Sequence, residues 1–197
     1  MRQPDKRPRV RAVVAAAMLL LGSLPSAMGA APAPRISPEL TISEPSGRTE
    51  RLSSYRGKVV VLAFIFAQSD HCIRVARMLN SLQQELGPRG FQPLGIVFDP
   101  PNVSGSSSIL IPPLVRAYKL SYPVGYATKE EVDRYLGRSD AMVLNIPQVV
   151  VIDREGAIRA SSGGAGGDPK LENEPSLREI VDDILSPPGS EKKGGGG

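Results

Sequence analysis

Residues 59–72 read Val-Val-Val-Leu-Ala-Phe-Ile-Phe-Ala-Gln-Ser-Asp-His-Cys. The first eight, Val59–Phe66, are all apolar, and β-branched and aromatic types dominate. The run is too short to cross a membrane. It reads as a central strand buried on both faces. After Ala67-Gln68, Cys72, Val75, Ala76, Leu79, Leu82 and Leu86 fall at helical spacing and make one apolar stripe. Ser69 or Asp70 can cap that helix by accepting first-turn N–H groups, and Gly87-Pro88 predicts its end. A buried strand running straight into an amphipathic helix is the start of an α/β domain.

Outward from this unit, Glu39–Ser43 and Arg48–Leu52 predict paired strands around the turn Glu44-Pro-Ser-Gly47. Phe91–Phe98 is a second buried strand. Leu114–Tyr118 and Lys129–Leu136 are short helices, with Tyr122–Tyr126 a short strand between them. Gln148–Asp153 (QVVVID) is a third core strand, and Arg154-Glu-Gly156 turns it into an antiparallel partner, Ala157–Ala160. Asn102–Ser108 is a polar loop, and Ser161–Glu174 reads as a Gly-rich loop without a core-forming pattern. Ser176–Leu185 is an amphipathic helix. The order predicts a three-layer α/β sandwich with a mixed central sheet and flanking helices.

The ends read differently. Residues 1–29 carry a basic stretch, an apolar run at Ala12–Leu24 and small residues around Gly29, the pattern of an export signal. Residues 30–38 are an Ala/Pro-rich spacer, residues 39–185 the domain, and residues 186–197 a disordered tail. The expected location is outside the cytoplasmic membrane, in a periplasm. Membrane attachment is expected only through the N-terminal segment, if it stays uncleaved. The net charge of +4 sits in residues 1–29, and the rest is balanced at 19 basic and 19 acidic residues. The basicity therefore gives no reason to expect a nucleic-acid partner. With one Cys and one His in 197 residues, the chain excludes an internal disulfide and a Cys/His zinc cage.

The landmarks resemble the thioredoxin fold, most closely the exported TlpA/ResA-like thiol:disulfide oxidoreductases related to the AhpC/TSA group. Leu52-Ser-Ser-Tyr-Arg-Gly-Lys58 followed by VVVLAFIF is similar to that branch's lead-in. Ser69-Asp-His-Cys72 stands where the family has Cys-x-x-Cys. Ile146-Pro147, directly before QVVVID, resembles the family's cis-proline, and Ile152–Ile158 its closing hairpin. The resemblance implies thiol–disulfide chemistry on a thiol- or disulfide-bearing protein or a small thiol, with Ile146 and Pro147 facing the substrate and no cofactor. Ser69 stands at the attacking position and Cys72 at the resolving one, so a two-thiol cycle is closed to this chain.

Cys72 has two readings. On the apolar stripe it is a small buried hydrophobe. As a monothiol centre it resembles the Thr-x-x-Cys of peroxiredoxins, whose thiolate becomes a sulfenic acid. His71, charged, would favour a thiolate, although adjacent helical residues do not face each other. Ser69 reads as a cap or as a hydrogen-bond donor to sulfur. Asp70 complements the helix dipole but opposes a thiolate. Ser107 and Ser108 lack a base. Gly163-Gly-Ala-Gly-Gly167 lacks the context of a phosphate loop. No carboxylate cluster resembles a metal site.

Overall fold

The computed structural model describes residues 34–100, 107–139, 142–164 and 166–186. The expected export signal, most of the Asn102–Ser108 loop and nearly all of the tail lie outside the described residues.

Eight strands form one mixed sheet: β1 Arg35–Ile36, β2 Thr41–Ser43, β3 Thr49–Arg51, β4 Val59–Ile65, β5 Phe91–Val97, β6 Val124–Tyr126, β7 Gln148–Ile152 and β8 Ala157–Ser161. Their order across the sheet is β1-β8-β7-β4-β5-β6-β2-β3. Central β4 runs parallel to β5 and antiparallel to β7. Among the described residues, four helices flank it: α1 Asp70–Leu86, α2 Ile111–Tyr118, α3 Lys129–Leu136 and α4 Glu174–Leu185.

The period of two along β4 divides the core. Val59, Val61, Ala63 and Ile65 face the layer of α1, α2 and α4, packing with Leu79, Leu114 and Val181. Val60, Leu62 and Phe64 face the opposite layer with Val132, Tyr135 and Leu136 of α3. Every residue of β4 is buried, which is why its sequence shows no alternation. The predicted three-layer sandwich is the observed architecture.

The caps explain the helix ends. Thr128 and Glu131 form a reciprocal capping box on α3, and Gly137 ends it at φ 66°. Pro112 and Pro113 lie in the first turn of α2, where missing N–H groups cost nothing, so α2 starts earlier than the sequence reading had it. Gly87-Pro88 ends α1 but not the helical path. A short 3-10 turn runs over Gly87–Arg89, and Gly90 at φ 96° closes it.

Two differences affect the site. The spacer holds β1, which pairs with β8 through Arg35↔Ile158. The Gly-rich segment is not featureless. A 3-10 turn at Pro169–Glu172, capped by the Asp168 side chain, buries Leu171 completely in the same core cluster as Cys72. α4 then begins at Glu174, two residues ahead of the expected Ser176.

Candidate functional site

α1 begins where β4 ends, and this junction gathers the sequence-selected residues. Ser69 is the N-cap, with extended backbone, and its Oγ accepts the Cys72 backbone N–H at 3.5 Å. Asp70 lies in the first turn, at the positive end of the helix dipole. The Cys72 side chain points into the core with no accessible surface. Its sulfur accepts the backbone N–H of Phe66, the residue just beyond β4, at 3.4 Å.

The electrostatics follow from this placement. Burial pushes the Cys72 thiol above its ordinary range, because a thiolate is poorly solvated among apolar neighbours. The Ser69 hydroxyl and the Phe66 amide act the other way by hydrogen bonding, and the charge of Glu172 adds to the upward push. The net direction is up, so the resting thiol is held protonated.

His71 does not turn to the sulfur. It is about half exposed, and its Nε2 lies 3.2 Å from Glu172 Oε2. That carboxylate is the site residue that sequence reasoning missed, since it lies in a segment read as a loop. The one available signal was the lone apolar Leu171 beside it, behind an Asp168-Pro169 cap.

The antiparallel register Phe64↔Gln148 carries the start of β7 to the end of β4. Ile146 and Pro147 therefore lie at the same sheet end as Ser69 and Cys72, and the bond between them is cis. Ile146 packs against the core cluster that contains Cys72. Pro147 lines a groove of about 300 Å³ with Arg138, Met142, Asn145, Gln148, Ser162 and Glu172 among its walls. Glu172 thus joins the two predicted parts of the site: it touches His71 and borders Pro147.

The groove has a built wall. Val149 N–H donates to Ser162 Oγ at 2.9 Å. A Cβ on Gly163 would come within 2.7 Å of the Gln148 side chain, so a glycine lets the backbone lie against the buried Gln148. Arg138 is almost fully buried and donates to Asp133 Oδ1 at 2.8 Å and to the Met142 carbonyl at 2.6 Å.

Ser107 belongs elsewhere. It is buried, and its amide donates to Asp99 Oδ1 at 2.9 Å. Tyr126 OH donates to the other oxygen of Asp99 at 2.9 Å, so Asp99 braces a loop. Among the described residues, no group of three or more His, Cys, Asp or Glu is placed to hold a metal ion. Among them, too, no helix is long and apolar enough to cross a membrane.

Comparison with known proteins agrees with this architecture. No curated protein matches the chain. Among solved structures, a thiol:disulfide interchange protein of the thioredoxin family from Chlorobium tepidum TLS superposes with a TM-score of 0.61 at 23% identity, over 80% of this chain and 100% of that one. A thiol:disulfide interchange protein from Bacteroides sp. gives 0.59 at 19% identity, over 77% and 91%. The thioredoxin domain of a thiol-disulfide oxidoreductase from Bacteroides vulgatus gives 0.58 at 18%, over 77% and 99%. These likenesses establish the thioredoxin fold. Residues 33–161 match the AhpC/TSA family, a stretch that takes in the β4–α1 junction, Ile146-Pro147 and the closing hairpin, and the chain belongs to that family.

Proposed function

We propose that this protein is an exported redoxin of the thiol–disulfide oxidoreductase and antioxidant type, in which Ser69 stands in place of an attacking Cys and redox chemistry runs through Cys72 alone. The observation that carries the reading is the pairing of Ser69 and Cys72 across the first turn of α1, where the Ser69 hydroxyl accepts the Cys72 backbone N–H and acts on the thiol in the direction that favours its thiolate. A serine hydroxyl is no redox group, so one thiol is left.

A single thiol still supports a balanced cycle. The Cys72 thiolate attacks one sulfur of a substrate disulfide. The new S–S bond forms as the substrate's breaks, and the leaving thiolate takes up a proton. An external thiol then attacks the substrate sulfur of the mixed disulfide, releasing Cys72 and departing as a new disulfide with that substrate half. With a peroxide, an S–O bond forms as the O–O bond breaks, and the leaving oxygen takes up a proton to depart as water or an alcohol. The sulfenic acid condenses with one external thiol, losing water, and a second external thiol restores Cys72 as a disulfide of the two leaves.

Residues 1–29 act as the export signal in this reading, residues 30–38 as the spacer, 39–185 as the working domain and 186–197 as a tail. The setting is a periplasm, with membrane attachment only through an uncleaved N-terminus. The partner is a thiol- or disulfide-bearing polypeptide, or a small thiol, lying at Ile146 and Pro147.

A second reading has its own support in the complete burial and raised pKa of Cys72. On it, the fold is a redox-inactive module that binds an extended polypeptide at the Pro147 groove. Thiol-dependent reduction of a peroxide and of a disulfide peptide, measured for the protein and for Cys72→Ala, separates the two. Activity abolished by the substitution supports the monothiol cycle. Activity that survives it ends the monothiol reading, and peptide binding without turnover supports the binding module.

A further inference from the structure

A second groove, of about 470 Å³, runs along α1 to the end of α2 and shares no lining residue with the one at Pro147. Arg74, Arg77 and Lys119 stand in its walls, all three exposed. Among the described residues neither Asp nor Glu lines it, and none of the three cations forms an ion pair. By contrast Arg48 is held by Glu50, Arg89 by Asp182 and Arg159 by Asp153. The acidic residues of α1 do not compensate the groove. Glu85 is taken by Arg178 of α4 through both oxygens, at 2.5 and 2.7 Å. Asp70 lies one turn ahead of Arg74 and forms no ion pair with it. A chain whose charge is balanced beyond residue 29 thus gathers uncompensated positive charge in one concavity.

The neutral groups of the groove add donors. Asn80 Oδ1 accepts the backbone N–H and the hydroxyl of Ser121, at 2.7 and 2.9 Å, so the carbonyl is used and the amide N–H groups remain. The hydroxyl of half-buried Tyr118 has no partner among the described residues. Met78 and Tyr118 pack against the core below and give the groove an apolar lining. Lys119 ends α2 in the left-handed region, at φ 49°. Glycine is the unstrained residue there, and the sequence carries a lysine all the same.

We infer that this groove docks an acidic polypeptide segment of a partner protein. Carboxylates supply the acceptors that the two guanidinium forks, the ammonium and the free amide call for. The positive charge also steers such a partner to this face. A polypeptide can enter a concavity and set side chains on Met78 and Tyr118, whereas a flat anionic bilayer surface cannot. The inference goes beyond the redox reading and needs no chemistry at Cys72.

The test is fluorescence anisotropy of the full-length protein with two labelled peptides, one rich in Glu and one with Gln in place of each Glu. Parent and variants share residues 1–29, so the basic N-terminus contributes equally to all of them. The Glu peptide binds about tenfold more tightly than the Gln peptide, as three exposed charge pairs together imply. Its affinity drops about fivefold in the double variant Arg74→Gln with Arg77→Gln, while that of the Gln peptide holds. Lys119→Gly weakens the Glu peptide about twofold and leaves the thermal midpoint no lower, because glycine suits the left-handed backbone. Equal affinity for the two peptides, Glu-peptide binding unchanged in the double variant, or binding lost only together with stability overturns the inference. Phosphatidylglycerol vesicles and sedimentation velocity complete the test. Vesicle binding without a peptide preference, lost in the double variant, overturns it in favour of a membrane surface. Self-association without a peptide preference, lost in the same variant, overturns it in favour of a second copy of the chain.

Discussion

Ser69 Oγ accepts the backbone N–H of Cys72 at 3.5 Å, so a single serine both caps the start of α1 and favours the thiolate of the residue three positions on. The two roles have different readouts. Ser69→Ala removes a cap worth about 1 kcal/mol and takes away a hydrogen bond that favours the thiolate. The variant therefore unfolds at lower denaturant, and its Cys72 alkylation profile moves further toward alkaline pH. A profile unmoved beside a stability loss of the expected size would show that the hydroxyl acts on the helix alone.

Ser69→Cys places a second thiol at the half-buried cap, three residues before Cys72. Its sulfur lies at the N-terminus of a 17-residue helix, where the dipole favours a thiolate. The variant forms an internal disulfide on mild oxidation, loses two mass units and gains disulfide reductase activity with an external reductant. A correctly folded variant with no such disulfide would mean that the junction differs from a two-thiol site in more than the missing sulfur.

The buried thiol leaves a mark on stability. Cys72 binds its proton more tightly in the folded chain than in the unfolded one, chiefly because burial disfavours the thiolate. Its contribution is fully present below the ordinary thiol value, about 8.5, and is lost as pH rises through the higher folded value. Tyr135, pushed up to about 12 by burial, and Tyr122, raised higher, begin to contribute only above about 10. Between about 8.5 and 10, the denaturant midpoint of the protein falls and that of Cys72→Ala does not. Parallel curves in that window would contradict a thiol buried in its neutral form.

Asp133 holds two cations, Arg138 at 2.8 Å and Lys129 at 2.6 Å. Arg138 Nε has no hydrogen-bond partner among the described residues, so the guanidinium is already incompletely satisfied. Asp133→Ala leaves it buried without its carboxylate and costs about 3 kcal/mol or more. Replacing both residues, Asp133→Leu with Arg138→Met, recovers most of that loss, because an apolar pair needs no desolvation. Chemical denaturation of the three proteins reads both effects. A double variant no more stable than Asp133→Ala would show that the ion pair is needed for the loop between α3 and β7 to pack at all.

What could be read in the sequence was what burial writes locally. β4 lies inside the sheet with both faces covered, which forces the uninterrupted run Val59–Ile65. α1 covers one face, so its six buried residues are the predicted stripe from Cys72 to Leu86. The rest depends on pairings made elsewhere in the chain. Two residues of β1 show no period, and only their register with β8 makes them a strand. Leu171 is an isolated apolar residue in a glycine-rich context, and its burial is decided by α4 and the sheet. The sequence offers His71 as a charge that would favour the Cys72 thiolate, with no contact between the two assured. Adjacent helical side chains diverge, and the imidazole turned instead to a carboxylate about a hundred residues away.

The central claim is that Cys72 alone carries covalent chemistry in the folded domain. Intact mass of the folded protein after incubation with a disulfide peptide tests it most directly, with Cys72→Ala beside it. The account predicts one peptide adduct on Cys72, reversed by an external thiol and absent from the variant. A folded protein that gains no adduct, while the denatured chain is labelled at once, would contradict it and leave a thioredoxin-fold module that only binds.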